Sequence, residues 1–134
     1  MLFKILKGDS ERISTDVTEF HEGYAYYTSD DGGFYIDSTN GSTRERKMIN
    51  PKSKQVTCTL SVSDWKSGTQ TVKVSGVTSS SNGVATISQS ATTTQLAAAK
   101  EAGIRATAQG NGTVTFSADK TPSVDIPVQI LIVP

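Results

Sequence analysis

The chain has 134 residues, 13 basic and 13 acidic side chains for a formal net charge of +0, and one cysteine. Balanced charge gives no electrostatic footprint for nucleic acid or an anionic bilayer, and the lone Cys58 excludes an intrachain disulfide and suits a reducing cytosol. The length accommodates one sandwich-sized domain and a small appendage.

From the start of the chain, Met1-Leu2-Phe3-Lys4-Ile5-Leu6-Lys7-Gly8-Asp9 has too short an apolar run for a signal-peptide core. No later run approaches membrane-spanning length, so the expectation is a protein that is not secreted classically and does not enter a membrane. Next come two aromatic-rich strands, 23–28 and 34–37, joined through Asp30-Asp31-Gly32-Gly33, and a third, 44–49, returning through Asn40-Gly41. Asn-Gly recurs at Asn82-Gly83 and Asn111-Gly112 between alternating runs, the signature of tight hairpins that need positive φ. A two-residue loop at Asn40-Gly41 predicts Asp37 opposite Arg44 and Tyr35 opposite Arg46, an ion pair and a cation–π contact. Asn40-Gly41-Ser42 and Asn111-Gly112-Thr113 match the glycosylation pattern, but in a chain read as unsecreted they carry little weight.

Phe3, Phe20, Tyr24, Tyr26, Tyr27, Phe34 and Tyr35 crowd the first third, leaving Trp65 and Phe116 beyond, and the acidic residues show the same bias. Asn50-Pro51-Lys52-Ser53-Lys54 marks the break, predicting an N-terminal hairpin module over 1–53 and a β-sandwich over 54–134. A module this small cannot easily bury its own aromatics, so Phe20, Tyr24, Tyr26, Tyr27, Phe34 and Tyr35 are the predicted contacts between copies of the chain.

In the second module, 56–63 places apolar residues at every even position and Thr or Ser at every odd one, a strand with one buried face that points Cys58 inward. Strands follow at 69–76 and 84–88. Thr94 to Ala102 reads as a short Ala-rich helix, capped by a Thr, stopped by Gly103 and anchored by Leu96. A three-residue loop, Gly110-Asn111-Gly112, keeps like faces together by pairing Ala108 with Val114, Ala106 with Phe116 and Ile104 with Ala118. The closing run puts Val124, Ile126, Val128, Ile130 and Ile132 on one face, while Pro127 argues for a sheet edge, at least locally. The fold class is therefore mainly β, with one short helix.

No catalytic constellation emerges. His21 is the only histidine, which rules out a relay of histidines within one chain, though three copies of His21 meeting on a threefold axis would be a sharp alternative to a turn or interface role. Cys58 has no neighbouring base in sequence. Asp30, Asp31, Asp37 and Asn40 do not follow the spacing of a Ca²⁺ loop and are better explained by turn chemistry. Neither Gly32-Gly33 nor Gly110-Asn111-Gly112 has the lysine and following helix of a phosphate loop. Trp65, beside Lys66-Ser67-Gly68, is either a cap on the core or an exposed platform for a sugar. The expectation is no enzyme, no metal and no cofactor.

Gly23-Tyr24-Ala25-Tyr26-Tyr27-Thr28, followed by Asp31 and Tyr35-Ile36-Asp37, resembles a short β-segment near the start of bacteriophage fibre, baseplate and head-decoration proteins. Ser63-Asp64-Trp65, the run 71–77, the run 102–108 and the terminal Val124-Asp125-Ile126-Pro127-Val128 are similar to a small β-domain of such virion proteins. The resemblance implies a homotrimeric virion component, a head fibre or capsid decoration protein assembled in the host cytoplasm. Its partners would be sister copies and other capsid proteins. The alternative it leaves open is a baseplate or tail protein that contacts a host surface glycan.

Overall fold

The structure is a computed structural model and describes Lys4–Pro134. The chain is mainly β and divides into two compact units, Met1–Pro51 and Lys52–Pro134.

The first unit is one four-stranded sheet in the order β1-β2-β3-β4, with β1 at Ile5–Gly8, β2 at Ala25–Thr28, β3 at Phe34–Asn40 and β4 at Thr43–Met48. β1 lies parallel to β2, and such a pair needs a long crossover, here the segment 9–24 with its 3₁₀ turn at Ser10–Arg12. The β3–β4 hairpin departs from the predicted register. Asn40 pairs with Thr43, so the loop is Gly41-Ser42 and Asp37 faces Arg46, not Arg44. Gly41, at the first loop position with φ 64°, supplies the left-handed residue that a type II′ turn takes there.

The second unit contains β5 (Lys54–Leu60), β6 (Thr69–Lys73), β7 (Asn82–Ile87), α1 (Thr93–Ala102), β8 (Arg105–Gly110), β9 (Thr113–Ser117) and β10 (Ile126–Val133). Two antiparallel sheets, β5-β10-β7 and β6-β9-β8, form a sandwich-like arrangement. Leu60, Ile126, Val128 and Ile130 from the first and Val114 and Phe116 from the second share one buried cluster. The period-two pattern of the sequence produces it, since even positions of β5, β9 and β10 face inward. Fully burying each of these larger side chains contributes about 1.5–3 kcal/mol.

Three expectations for these strands are corrected. β10 is the central strand of its sheet rather than an edge. Pro127 is tolerated because it lies just past the β7 pairing, where its carbonyl accepts from the Ser88 N–H and no ladder N–H is required. Asn82-Gly83 is the start of β7, not a turn. Here glycine serves close approach, for a Cβ at Gly83 would lie 2.2 Å from the Leu131 carbonyl oxygen. At Asn111 the loop is two residues, with Gly110 paired to Thr113 and Gln109 to Val114, and an irregularity between Ala106 and Ala108 restores the Ala106–Phe116 pair. The extra residue is absorbed as a bulge inside the strand instead of in the turn.

α1 is capped as its composition suggests. Thr92 accepts from the Gln95 N–H while the Gln95 side chain accepts from the Thr92 N–H, and Gly103 ends the helix in the left-handed region. Its buried residues, however, are Ala98, Ala99 and Ala102, and the expected anchor Leu96 is 47% exposed. Small side chains let the helix lie close to the sheet, and Leu96 falls outside the buried face. Among the described residues no helix is long and apolar enough to cross a membrane.

Candidate functional site

Alternation along the first sheet gives its two faces different chemistry. Cross-strand pairing aligns Leu6, Tyr26, Tyr35 and Met48 on one face, together with Asp37 and Arg46. It aligns Ile5, Ala25, Ile36 and Lys47 on the other, together with Lys7, Tyr27 and Phe34. The predicted intersubunit aromatics are thus split. Tyr26 and Tyr35 belong to the first face with Tyr24, whereas Tyr27 and Phe34 sit at opposing register positions on the second.

The first face is covered by the 9–21 segment through a buried polar hub. Asp37 is fully buried and Arg46 is 5% exposed. Arg46 donates to Asp37 Oδ1 through Nε at 2.6 Å and to Oδ2 through Nη2 at 2.7 Å, a two-pronged pairing. The remaining guanidinium donors reach the carbonyls of Ile13 (2.8 Å), Thr18 (3.1 Å) and Glu19 (3.1 Å), pinning the segment to the sheet. Asp37 also accepts from the Tyr26 hydroxyl at 2.7 Å and the His21 N–H at 2.8 Å. The cation–π contact expected between Arg46 and Tyr35 is made with Tyr26, whose ring centre is 4.0 Å from the guanidinium carbon. Arg44 instead lies 5.6 Å over Phe20.

Burial alone would raise the Asp37 carboxyl, but hydrogen bonds from Arg46, the His21 backbone and Tyr26 hold it below the usual aspartate value. Burial, and then the hydrogen bond to Asp37, push the Tyr26 hydroxyl up to about 12. Every acceptor and donor is matched, so the hub is a structural clamp. Tyr26, 4% exposed and engaged on both sides within its own chain, is not available as a contact between copies.

The second face is open. Ile5, Tyr27 and Ile49 are 56%, 40% and 47% exposed, with Phe34 and Ile36 half-buried between them. Ile49 follows β4 with its N–H bonded to the Phe34 carbonyl, which keeps it beside that ring. Lys7, Glu45 and Lys47 share this face and present both signs of charge. An open apolar sheet face of this kind is the chain's candidate contact surface. Sequence reasoning missed Ile5 and Ile49 because it weighed aromatic content rather than face; the parity of Tyr27 within 25–28 was the available signal.

The other candidates are accounted for locally. Trp65 packs against the second unit's core, with its indole nitrogen enclosed. The exposed His21 ring lies 4.8 Å from Tyr24, with Glu19 3.9 Å from Nε2. Burial pushes the Cys58 thiol up, away from thiolate reactivity. Asp30 accepts from the Ser10 N–H and hydroxyl, joining the crossover to the β2–β3 turn. Asp31 accepts from the Gly33 N–H and the Thr28 hydroxyl. Among the described residues no three His, Cys, Asp or Glu side chains converge to hold a metal. A cleft of about 240 Å³ in the first unit is lined by Leu6, Arg12, Ile13, Thr18, Tyr26 and Thr28, and one of about 300 Å³ opens between β7 and β8.

The fold and surface define a mainly β chain whose first sheet leaves an apolar face open. In comparisons with known proteins, no family model, curated protein or solved structure matches it.

Proposed function

We propose that the chain is a non-enzymatic structural component of a phage virion, a head fibre or capsid decoration protein that assembles as a homotrimer through its first unit and displays its second. The observation that carries the assembly reading is the open face of Ile5, Tyr27, Phe34, Ile36 and Ile49. Glu45 on that face offers a sister copy's Lys7 or Lys47 an opposite charge, which suits contacts repeated around a threefold axis. The virion reading is supported by the resemblance carried in residues 23–37. In such an assembly each copy adds weak contacts that sum through effective concentration, and no single docking contact has to be strong.

Sedimentation equilibrium at micromolar concentration tests the assembly. The wild-type chain sediments as a trimer, and the pair Tyr27→Asp and Ile49→Asp gives a folded monomer. A wild-type monomer overturns the reading. Immunogold labelling of assembled particles tests the location: label on capsids supports a decoration protein, label on tails moves it to the baseplate, and unlabelled particles contradict the virion role.

A further inference from the structure

The three Asn-Gly pairs share one local chemistry and sit in three different settings. In such a pair the backbone nitrogen of the glycine can attack the asparagine side-chain carbonyl carbon. The new C–N bond closes a succinimide ring, and the C–N bond to the amide breaks, releasing ammonia. Water then opens the ring to aspartate or isoaspartate, with no oxidant or cofactor. The reaction needs a free glycine nitrogen, a free carboxamide and a backbone able to rotate.

Asn82 has no such freedom. Its side chain is exposed, but Asn82 and Gly83 both lie within β7, opposite Val133 and Ile132, and Gly83 is packed so tightly that even a Cβ would meet the Leu131 carbonyl, which blocks the backbone rotation. Asn111 lies in an exposed turn but is tied at both reacting groups. Its side-chain oxygen accepts from the Ser79 N–H at 3.3 Å, and the Gly112 N–H donates to the Val77 carbonyl at 2.8 Å. The Gly112 carbonyl also accepts from the Val74 N–H at 2.8 Å, so the peptide is held from both sides. At the tip of the β3–β4 hairpin Asn40 ends β3 opposite Thr43, but Gly41 is already in the loop, both residues are exposed, and a Cβ on Gly41 would meet nothing within 4 Å. Among the described residues neither the Asn40 carboxamide nor the Gly41 N–H has a partner.

We propose that Asn40 is the chain's site of spontaneous deamidation and isoaspartate formation, and that the fold protects Asn82 and Asn111 from the same reaction. Conversion places a new carboxylate at the hairpin tip opposite Thr43, on the face that carries Glu45, and the isoaspartate form adds a backbone atom to a loop whose register depends on two residues.

Peptide mapping by mass spectrometry, with isoaspartyl methyltransferase labelling, follows all three sites in the full chain held at mildly alkaline pH. In the folded protein Asn40 converts at least about tenfold faster than Asn82 or Asn111, because those two must first open a strand or a bonded turn. In concentrated urea the three rates come together, since a glycine follows each. Conversion of Asn82 or Asn111 as fast as Asn40 in the folded chain overturns the assignment, as does an inert Asn40 in the folded chain when the unfolded chain reacts.

Discussion

The second unit withdraws Leu60, Phe116, Ile126 and Val128 from water, whereas the first withdraws Asp37, Thr28 and Tyr26. Within the second unit two sheets shield each other, and apolar burial, which is non-directional, does most of the work. Within the first unit a single sheet has one face covered by a loop. That loop is held by a guanidinium with all its partners placed, and the opposite face stays apolar and open. A single sheet cannot cover both of its faces, so the difference teaches that such a module either finds a partner or leaves a patch exposed.

The comparison can be broken from either side, and the chain carries its own reporters: the single Trp lies in the second unit and the four Tyr in the first. Truncating Phe116 to Ala should destabilise the second unit by about 3–5 kcal/mol, read in denaturant by tryptophan emission with the tyrosine signal unmoved. Asp37→Ala should cost the first unit about 3–5 kcal/mol, because it strands the buried Arg46 charge, and here the tyrosine signal moves while tryptophan emission holds.

Titration sharpens the contrast. The Asp37 carboxyl is held below its ordinary 3.8 in the folded state, so its contribution is present above that pH and is lost as pH falls through the lower folded value. Acid should therefore weaken the first unit selectively, and Asp37→Asn should remove that step. Tyr26 gives the mirror image. Its folded value of about 12 against an ordinary 10.0 means that its contribution is complete below pH 10.0 and disappears as pH rises toward 12. The smallest effect is expected at the helix, where Thr92→Ala removes a cap worth about 1 kcal/mol, read as a small shift in the tryptophan transition.

Strands with one buried face were legible in the sequence, as 56–60 and 126–132 show, and so were the Thr cap and the Gly103 stop of α1. Registers were not, because a hairpin's pairing depends on which residue takes positive φ, and Gly41 sits in the first loop position rather than the second. Asn82-Gly83 misled for a related reason: glycine there answers a neighbouring backbone, which local sequence does not reveal. β1 escaped notice because its partner lies across a long crossover and four residues carry little periodicity. Within the site, the aromatic segment was legible but its division into a clamped face and an open one was not. Tyr26 and Tyr27 are chemically alike and differ only in which side of the pleat they occupy.

Hydroxyl-radical footprinting across a dilution series measures that division directly. If sister copies cover the open face, Tyr27, Phe34 and Ile49 are shielded at high concentration and become labelled together on dilution, while Tyr26 stays shielded throughout. Tyr27 labelled equally at every concentration, or Tyr26 emerging alongside it, would contradict the account.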